Sequence, residues 1–192
     1  MVARNILTPV IETTVNKGST ATEKTTVNYS SYTGTSGTLY RPANVMKTRS
    51  RTGSTITDQL TFTTYDRKGN LVAGKDWDGQ QKVYVWGYNG AYIVAEVTGV
   101  TLSAVTGANS SLSGIATNPL AGALPSAAET ALRNLSNARV VTYDYRPLVG
   151  ISKITDVTGR TTTYNYDNEG RLSTVVDSNG HVVEKHDYNY QP

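Results

Sequence analysis

The chain has 192 residues, no cysteine and a net charge of +3 from 18 basic and 15 acidic side chains. Without cysteine there is no disulfide scaffold and no thiolate metal site. Two histidines do not furnish a His-rich centre, and scattered charges lack the basic stripe of a nucleic-acid binder. Thirteen Tyr against one Phe, with 17 Gly, point to pleated, half-buried surfaces joined by many turns.

Met1-Val2-Ala3-Arg4 lacks the apolar core of a signal peptide, and no stretch approaches the ~20 apolar residues of a membrane helix. Strand character is expected from residue 5, so the natural chain is expected to extend upstream of Met1. Thr8–Asn16 is expected to turn at Asn16-Lys17-Gly18, and Thr22–Tyr32 to return. Tyr40-Arg41-Pro42 leads into a strand over Ala43–Arg51 that turns at Arg51-Thr52-Gly53. Ser54–Tyr65 follows, with Ile56, Leu60 and Phe62 at alternating positions.

An internal repeat then begins. Tyr65-Asp66-x-x-Gly69-x-Leu71 and Asp76-x-x-Gly79 recur as Tyr166-Asp167-x-x-Gly170-x-Leu172 and Asp177-x-x-Gly180, at one offset of 101 residues. Degenerate copies stand 21 residues from each. Trp86 begins one, with Gly90 and Tyr92 in the Gly and Leu slots. Tyr145 begins the other, with Asp156 and Gly159 in the final slots. Each Asp-x-x-Gly is a turn, because Asp bonds its own backbone and Gly accepts a positive φ. Strands are expected over Asn70–Lys75, Gln80–Trp86, Arg171–Val176 and His181–Tyr188. Leu172, Thr174 and Val176 should then share one face, and Ser173 and Val175 the other.

Residues 98–139 break the pattern, being rich in Ala, Ser, Leu and Asn and free of Tyr. Ser126-x-x-Glu129 resembles a capping box opening a helix over Ala127–Leu135, with Ala128, Ala131, Leu132 and Leu135 as its apolar stripe. A shorter helix is expected near Val100–Val105. The expected architecture is mainly β: an antiparallel meander of hairpins with a small helical insertion. Residues 1–97 carry the N-terminal strands and the first repeat pair, 98–139 the insertion, and 140–192 the second pair. The insertion is expected to cover an open edge or end of the sheet, or to dock a partner.

The residues of the repeat resemble the YD-repeat family, also called rearrangement-hotspot (RHS) repeats. The stretch from Thr163 to Gly180 fits the family motif, and Tyr65–Gly79 is similar. Tyr84-Val85-Trp86-Gly87-Tyr88-Asn89-Gly90, the Tyr143–Gly150 stretch and the ending His186-Asp187-Tyr188-Asn189-Tyr190 resemble the C-terminal region of large YD-repeat proteins of Bacteroidetes-type bacteria. The resemblance implies a long antiparallel sheet spiralling into a shell, of which this chain would form part, and an extracellular or cell-surface setting. It also implies toxin-related shells with a C-terminal cargo, or adhesive and sugar-binding surfaces. Some toxin members carry an Asp-Pro-x-Gly self-cleavage motif. Here Asp156-Val157-Thr158-Gly159 lacks the Pro and occupies an ordinary repeat turn.

No catalytic, metal or cofactor site is expected. Asp76-x-Asp78-Gly79 superficially resembles a calcium loop, but position twelve is Gly87 rather than Glu. His181 and His186 should point to opposite strand faces and ligate nothing jointly. The one candidate binding surface is aromatic: Tyr84, Trp86 and Tyr88 would share a face able to stack on sugar rings or cover apolar cargo, or simply fill an interior. Expected partners are neighbouring repeats or another chain along the sheet edges, with carbohydrate or an encapsulated polypeptide as alternatives, and neither nucleic acid nor a membrane span.

Overall fold

The computed structural model describes residues 11–18, 20–51 and 54–188. The strand start at residue 5, the Thr52-Gly53 turn and the Asn189-Tyr190 ending lie outside the described residues. Twelve strands form one antiparallel sheet whose spatial order is the sequence order. They are β1 (Glu12–Lys17), β2 (Thr20–Gly34), β3 (Gly37–Arg51), β4 (Ser54–Tyr65), β5 (Leu71–Lys75), β6 (Gln81–Gly87), β7 (Tyr92–Thr98), β8 (Arg139–Arg146), β9 (Gly150–Thr155), β10 (Thr161–Tyr166), β11 (Leu172–Val176) and β12 (Val182–Lys185). Mostly β, with two short helices, the fold is a hairpin meander.

The helices are α1 (Leu102–Ala108) and α2 (Ser126–Arg133). They interrupt the chain between β7 and β8 without interrupting the sheet, because Thr98 pairs directly with Arg139 and Val97 with Val140. The insertion therefore covers the middle of one sheet face, not an edge or end. The cause is visible in the strands below it. Val83 and Val85 of β6, Val94 and Val97 of β7 and Val140 of β8 point to that side and require a cover. Val105, Leu112, Ile115, Ala128 and Leu132 supply it, and together with Ala73 and Ala95 these residues make the core cluster. Leu135 and Tyr88 pack against it from the rim.

The two helices begin differently. Thr101 caps α1, its hydroxyl accepting from Ala104 N at 3.3 Å. The capping box expected at Ser126 does not form. Ser126 is already helical, Pro125 precedes it with no side-chain cap, and the Glu129 carboxylate is used elsewhere. It accepts from Arg133 Nε at 3.0 Å and from the Thr142 hydroxyl at 2.9 Å. A charge-assisted bond to guanidinium is stronger than one to a neutral backbone N–H. Arg133 also donates to the carbonyls of Val140 at 3.2 Å and Asp156 at 2.9 Å, so α2 is fastened to β8 and to the turn after β9.

The core is small, so single residues in it matter. Leu132 is fully buried at the interface between α2 and the sheet. Leu132→Ala should lower unfolding free energy by about 2–5 kcal/mol, read from a urea or guanidinium denaturation curve.

Candidate functional site

Five turns share one construction. Asp66, Asp76, Asp156, Asp167 and Asp177 each accept, through Oδ1, the backbone N–H groups two and four residues later. In each, the Gly three residues on donates to the Asp carbonyl. Those glycines, 69, 79, 159, 170 and 180, have φ between +75° and +88°, where a Cβ would crowd the backbone. The carboxylates are thus occupied in shaping their own loops. Asp156 additionally accepts the Thr158 hydroxyl at 2.7 Å, and Asp76 spends Oδ1 on Asp78 N and Gln80 N at 3.1 and 2.9 Å.

The aromatic slot of the repeat is equally regular. Tyr65 pairs with Leu71, Trp86 with Ile93, Tyr145 with Ile151 and Tyr166 with Leu172, and in every case the register shifts beside the pair. One residue is left over on the returning strand: Val72, Val94, Ser152 or Ser173. This bulge interrupts the ladder, and the carbonyl next to it is taken by the ring of the following repeat. Trp86 Nε1 donates to Leu71 O at 2.7 Å, Tyr145 OH to Ile93 O at 2.9 Å, Tyr166 OH to Ile151 O at 2.7 Å and Tyr188 OH to Leu172 O at 2.9 Å. The bulge at Ser173 also breaks the strict alternation expected along β11. In the Trp86 copy the Leu slot falls on Ile93 rather than Tyr92, because the loop there is one residue longer.

Two ladder members escape the repeat motif. Tyr188 extends the series at its C-terminal side. Tyr29 extends it at the other: it pairs with Pro42 beside a register shift in the long β2–β3 hairpin, and Tyr65 OH donates to Pro42 O at 2.9 Å. A proline inside a strand is itself the available signal, since Pro is tolerated in sheets at bulges and edges. Tyr65 is enclosed enough that burial, and then the neighbouring Tyr32, push its phenol up to about 12.

The aromatic platform is assembled only in part. Tyr84 and Trp86 lie two apart on β6 between buried Val83, Val85 and Gly87, so they face the side opposite the helices. Tyr88 leaves that face. It follows β6 in a tight 3-10 turn with φ +49°, and Asn89 after it has φ +56°. This left-handed step swings the ring into contact with Tyr92 and Tyr145, at centroid distances of 5.5 and 5.9 Å, where Tyr92 and Tyr145 themselves stack at 4.5 Å. Tyr88 N and Asn89 N then bind Gly122 O and Leu120 O of the insertion, each at 2.9 Å. Tyr88 anchors the insertion, on the other side of the sheet from Tyr84 and Trp86.

What replaces Tyr88 beside Tyr84 is Tyr143 of β8. Burial raises both phenols above their ordinary value, with Glu96 adding to each. Next to them an open groove of about 300 Å3 is lined by Asp76, Lys82, Glu96, Thr98, Arg139 and Val141, among others. Lys82 and Glu96 pair across it at 3.5 Å. The two histidines serve different carboxylates, His181 approaching Asp177 at 3.5 Å and His186 Glu184 at 2.8 Å. Among the described residues no group of three or more His, Asp or Glu is placed to hold a metal ion, and no helix is long and apolar enough to cross a membrane.

Turn, bulge and ring together define a tandem β-hairpin repeat. Residues 150–182 match the family described as RHS Repeat, so the chain carries an RHS repeat. None of the curated proteins matches it. Among solved structures, the chain is similar to a TcdB2-TccC3 crystal structure without its hypervariable C-terminal region (TM-score 0.47, 11% identity). It is also similar to a mutant Tc holotoxin pore of Photorhabdus luminescens (TM-score 0.46, 11% identity). In each case 91% of this chain aligns with 9% of the other.

Two measurements test the geometry. Tyr166→Phe keeps the ring and removes the bond to Ile151 O, and should cost about 0.5–1.5 kcal/mol of stability by chemical denaturation. The turn aspartates give a pH signature. The Thr158 hydroxyl holds Asp156 below the usual carboxylate range, and the backbone N–H groups of Arg171 and His181 do the same for Asp167 and Asp177. A carboxyl lowered on folding stabilises the native state above its unfolded pKa, about 3.9. That contribution is lost as pH falls through the folded value. Urea midpoints should therefore hold from neutrality to about pH 5 and fall below about pH 4. Replacing Asp156, Asp167 and Asp177 by Asn should flatten that decline.

Proposed function

We propose that this chain is a non-enzymatic structural segment of a secreted or cell-surface RHS protein, forming or capping part of a β shell. One observation carries the reading. The repeat's polar groups are spent internally: five turn carboxylates on their own loops, and the ladder rings on neighbouring backbone. What remains at the surface is a continuous sheet whose outer strands, β1 and β12, each have one partner among the described residues. All of β1 and β12 is exposed, as expected of strands that await further pairing.

The experiment is hydrogen exchange on the isolated chain and on the same chain embedded in its longer parent. Amides of β1 and β12 should exchange faster in the first than in the second. Equal exchange at both edges in the two would remove the shell reading.

A second reading is a carbohydrate- or protein-binding adhesin surface, favoured by Tyr84, Trp86 and Tyr143 beside the charged groove. Glycan-array binding that disappears in Tyr84→Ala, with the melting temperature preserved, would support it. No binding across a broad array would count against it. A third reading, a toxin shell enclosing a C-terminal cargo, predicts that a polypeptide fused after residue 192 resists protease in the intact parent. Ready digestion of that tail would dismiss it.

A further inference from the structure

The chain contains two Asn-Gly steps, Asn89-Gly90 and Asn179-Gly180. Asn-Gly is the sequence most open to attack by a backbone nitrogen on a side-chain amide, since Gly has no Cβ to shield its N–H. Both asparagines are exposed, but the two steps are held differently. Asn89 N–H is bound to Leu120 O at 2.9 Å and the Asn89 carbonyl accepts from Lys68 Nζ. Gly90 O accepts from Asn70 Nδ2 at 3.3 Å, and Asn70, Lys68 and Pro119 fill the space a Cβ on Gly90 would need. This step is clamped between the first repeat turn and the insertion.

Asn179-Gly180 is at the tip of the β11–β12 turn and both residues are exposed. Nothing lies within 4 Å of a Cβ built on Gly180. The turn is held by Asp177, which accepts Asn179 N–H on Oδ1 at 2.9 Å and Gly180 N–H on its carbonyl at 3.1 Å. Those bonds must open before the Gly180 nitrogen can reach the Asn179 side chain. The hairpin behind them opens at low cost, because β12 has four residues, all exposed, and pairs only with β11 among the described residues.

We propose that Asn179-Gly180 is a self-modification site, at which the chain converts its own asparagine and thereby resets the last described hairpin. The Gly180 nitrogen attacks Asn179 Cγ, forming an N–Cγ bond. The Cγ–Nδ2 bond breaks, and Nδ2 departs as ammonia with the proton that Gly180 loses. Water then opens the cyclic imide. Cleavage at Cγ leaves aspartate. Cleavage at the main-chain carbonyl leaves isoaspartate, with one more carbon in the backbone.

The two products differ in consequence. Aspartate at 179 reproduces Asp76-Trp77-Asp78-Gly79, the corresponding turn of the first repeat pair, which closes with the same bonds. Isoaspartate displaces the N–H groups that Asp177 binds, so the turn loses its closure and β12 is released from β11. Asn179 is thus a point at which chemistry with water alone decides whether an edge strand stays in the sheet.

The test is peptide mapping of the intact chain aged in mildly alkaline buffer, with hydrogen exchange on the same samples. Asn179 should convert at least about tenfold faster than Asn89, a ratio that ~1.4 kcal/mol in opening free energy supplies. The two should converge when the chain is unfolded in urea. Amides of β12 should lose protection in step with isoaspartate. Asn179→Asp should keep β12 protected, and aged Asn179→Gln should not lose it. Equal rates at the two steps in the folded chain, or loss of β12 protection in aged Asn179→Gln, would overturn the proposal.

Discussion

A strand that carries one residue more than its partner, at the same place in each hairpin that holds an aromatic slot, cannot stay flat. In this protein the extra residue falls beside the pairs made by Tyr29, Tyr65, Trp86, Tyr145 and Tyr166. In each it lies on the returning strand, and β4 carries a further extra residue, Thr63, ahead of the Tyr65 pair. A bulge bends its strand and increases local twist, and five in the same sense impose a consistent turn on the sheet. The bulge also leaves a carbonyl for the next ring, so the element that curves one hairpin is the element that positions the following one. Turn aspartates and glycines complete this by fixing the loop length on which the register depends.

The two faces of the sheet are used unequally. On one side, α1, α2 and the segment between them cover the central strands, and the core consists of little more than that contact. Arg133 ties the cover to β8 and to the Asp156 turn through its bonds to Val140 O and Asp156 O. On the other side, Tyr84, Trp86 and Tyr143 stand half-buried, with no second layer among the described residues. The long hairpins β1 to β4 rely on cross-strand pairs instead, such as Lys24–Glu12 and Lys47–Glu23, both at 2.9 Å. Exposed pairs of this kind contribute little each, so the stable part of the molecule is its middle.

How much of this was legible depended on whether the determinant was local. The Asp-x-x-Gly turns were readable because the residues that close them lie within five positions, and the 101-residue offset exposed the tandem pairs. Tyr29 was hidden because its hairpin is longer and closes without that motif. Tyr88 was assigned to the wrong face because alternation was carried past the end of β6, where a left-handed step begins. Glu129 was read as a capping partner because the spacing to Ser126 outweighed the i,i+4 pairing with Arg133, and because its other partner, Thr142, lies on a strand that sequence proximity does not reveal. The insertion's place on the face, not the edge, was likewise a matter of which strands paired across it.

Sequential strand order has a consequence for how the chain is made. Every strand finds its partner in the strand synthesised just before it, and only the insertion separates β7 from β8. Loops between partners are short, so the entropy lost in closing them is small. A growing polypeptide can add hairpins one at a time, each templated by a finished neighbour, with no need to wait for a distant segment. The helical layer arrives after β7 and before β8, in time to cover the valines of β6 and β7 while the exposed edge is still being extended.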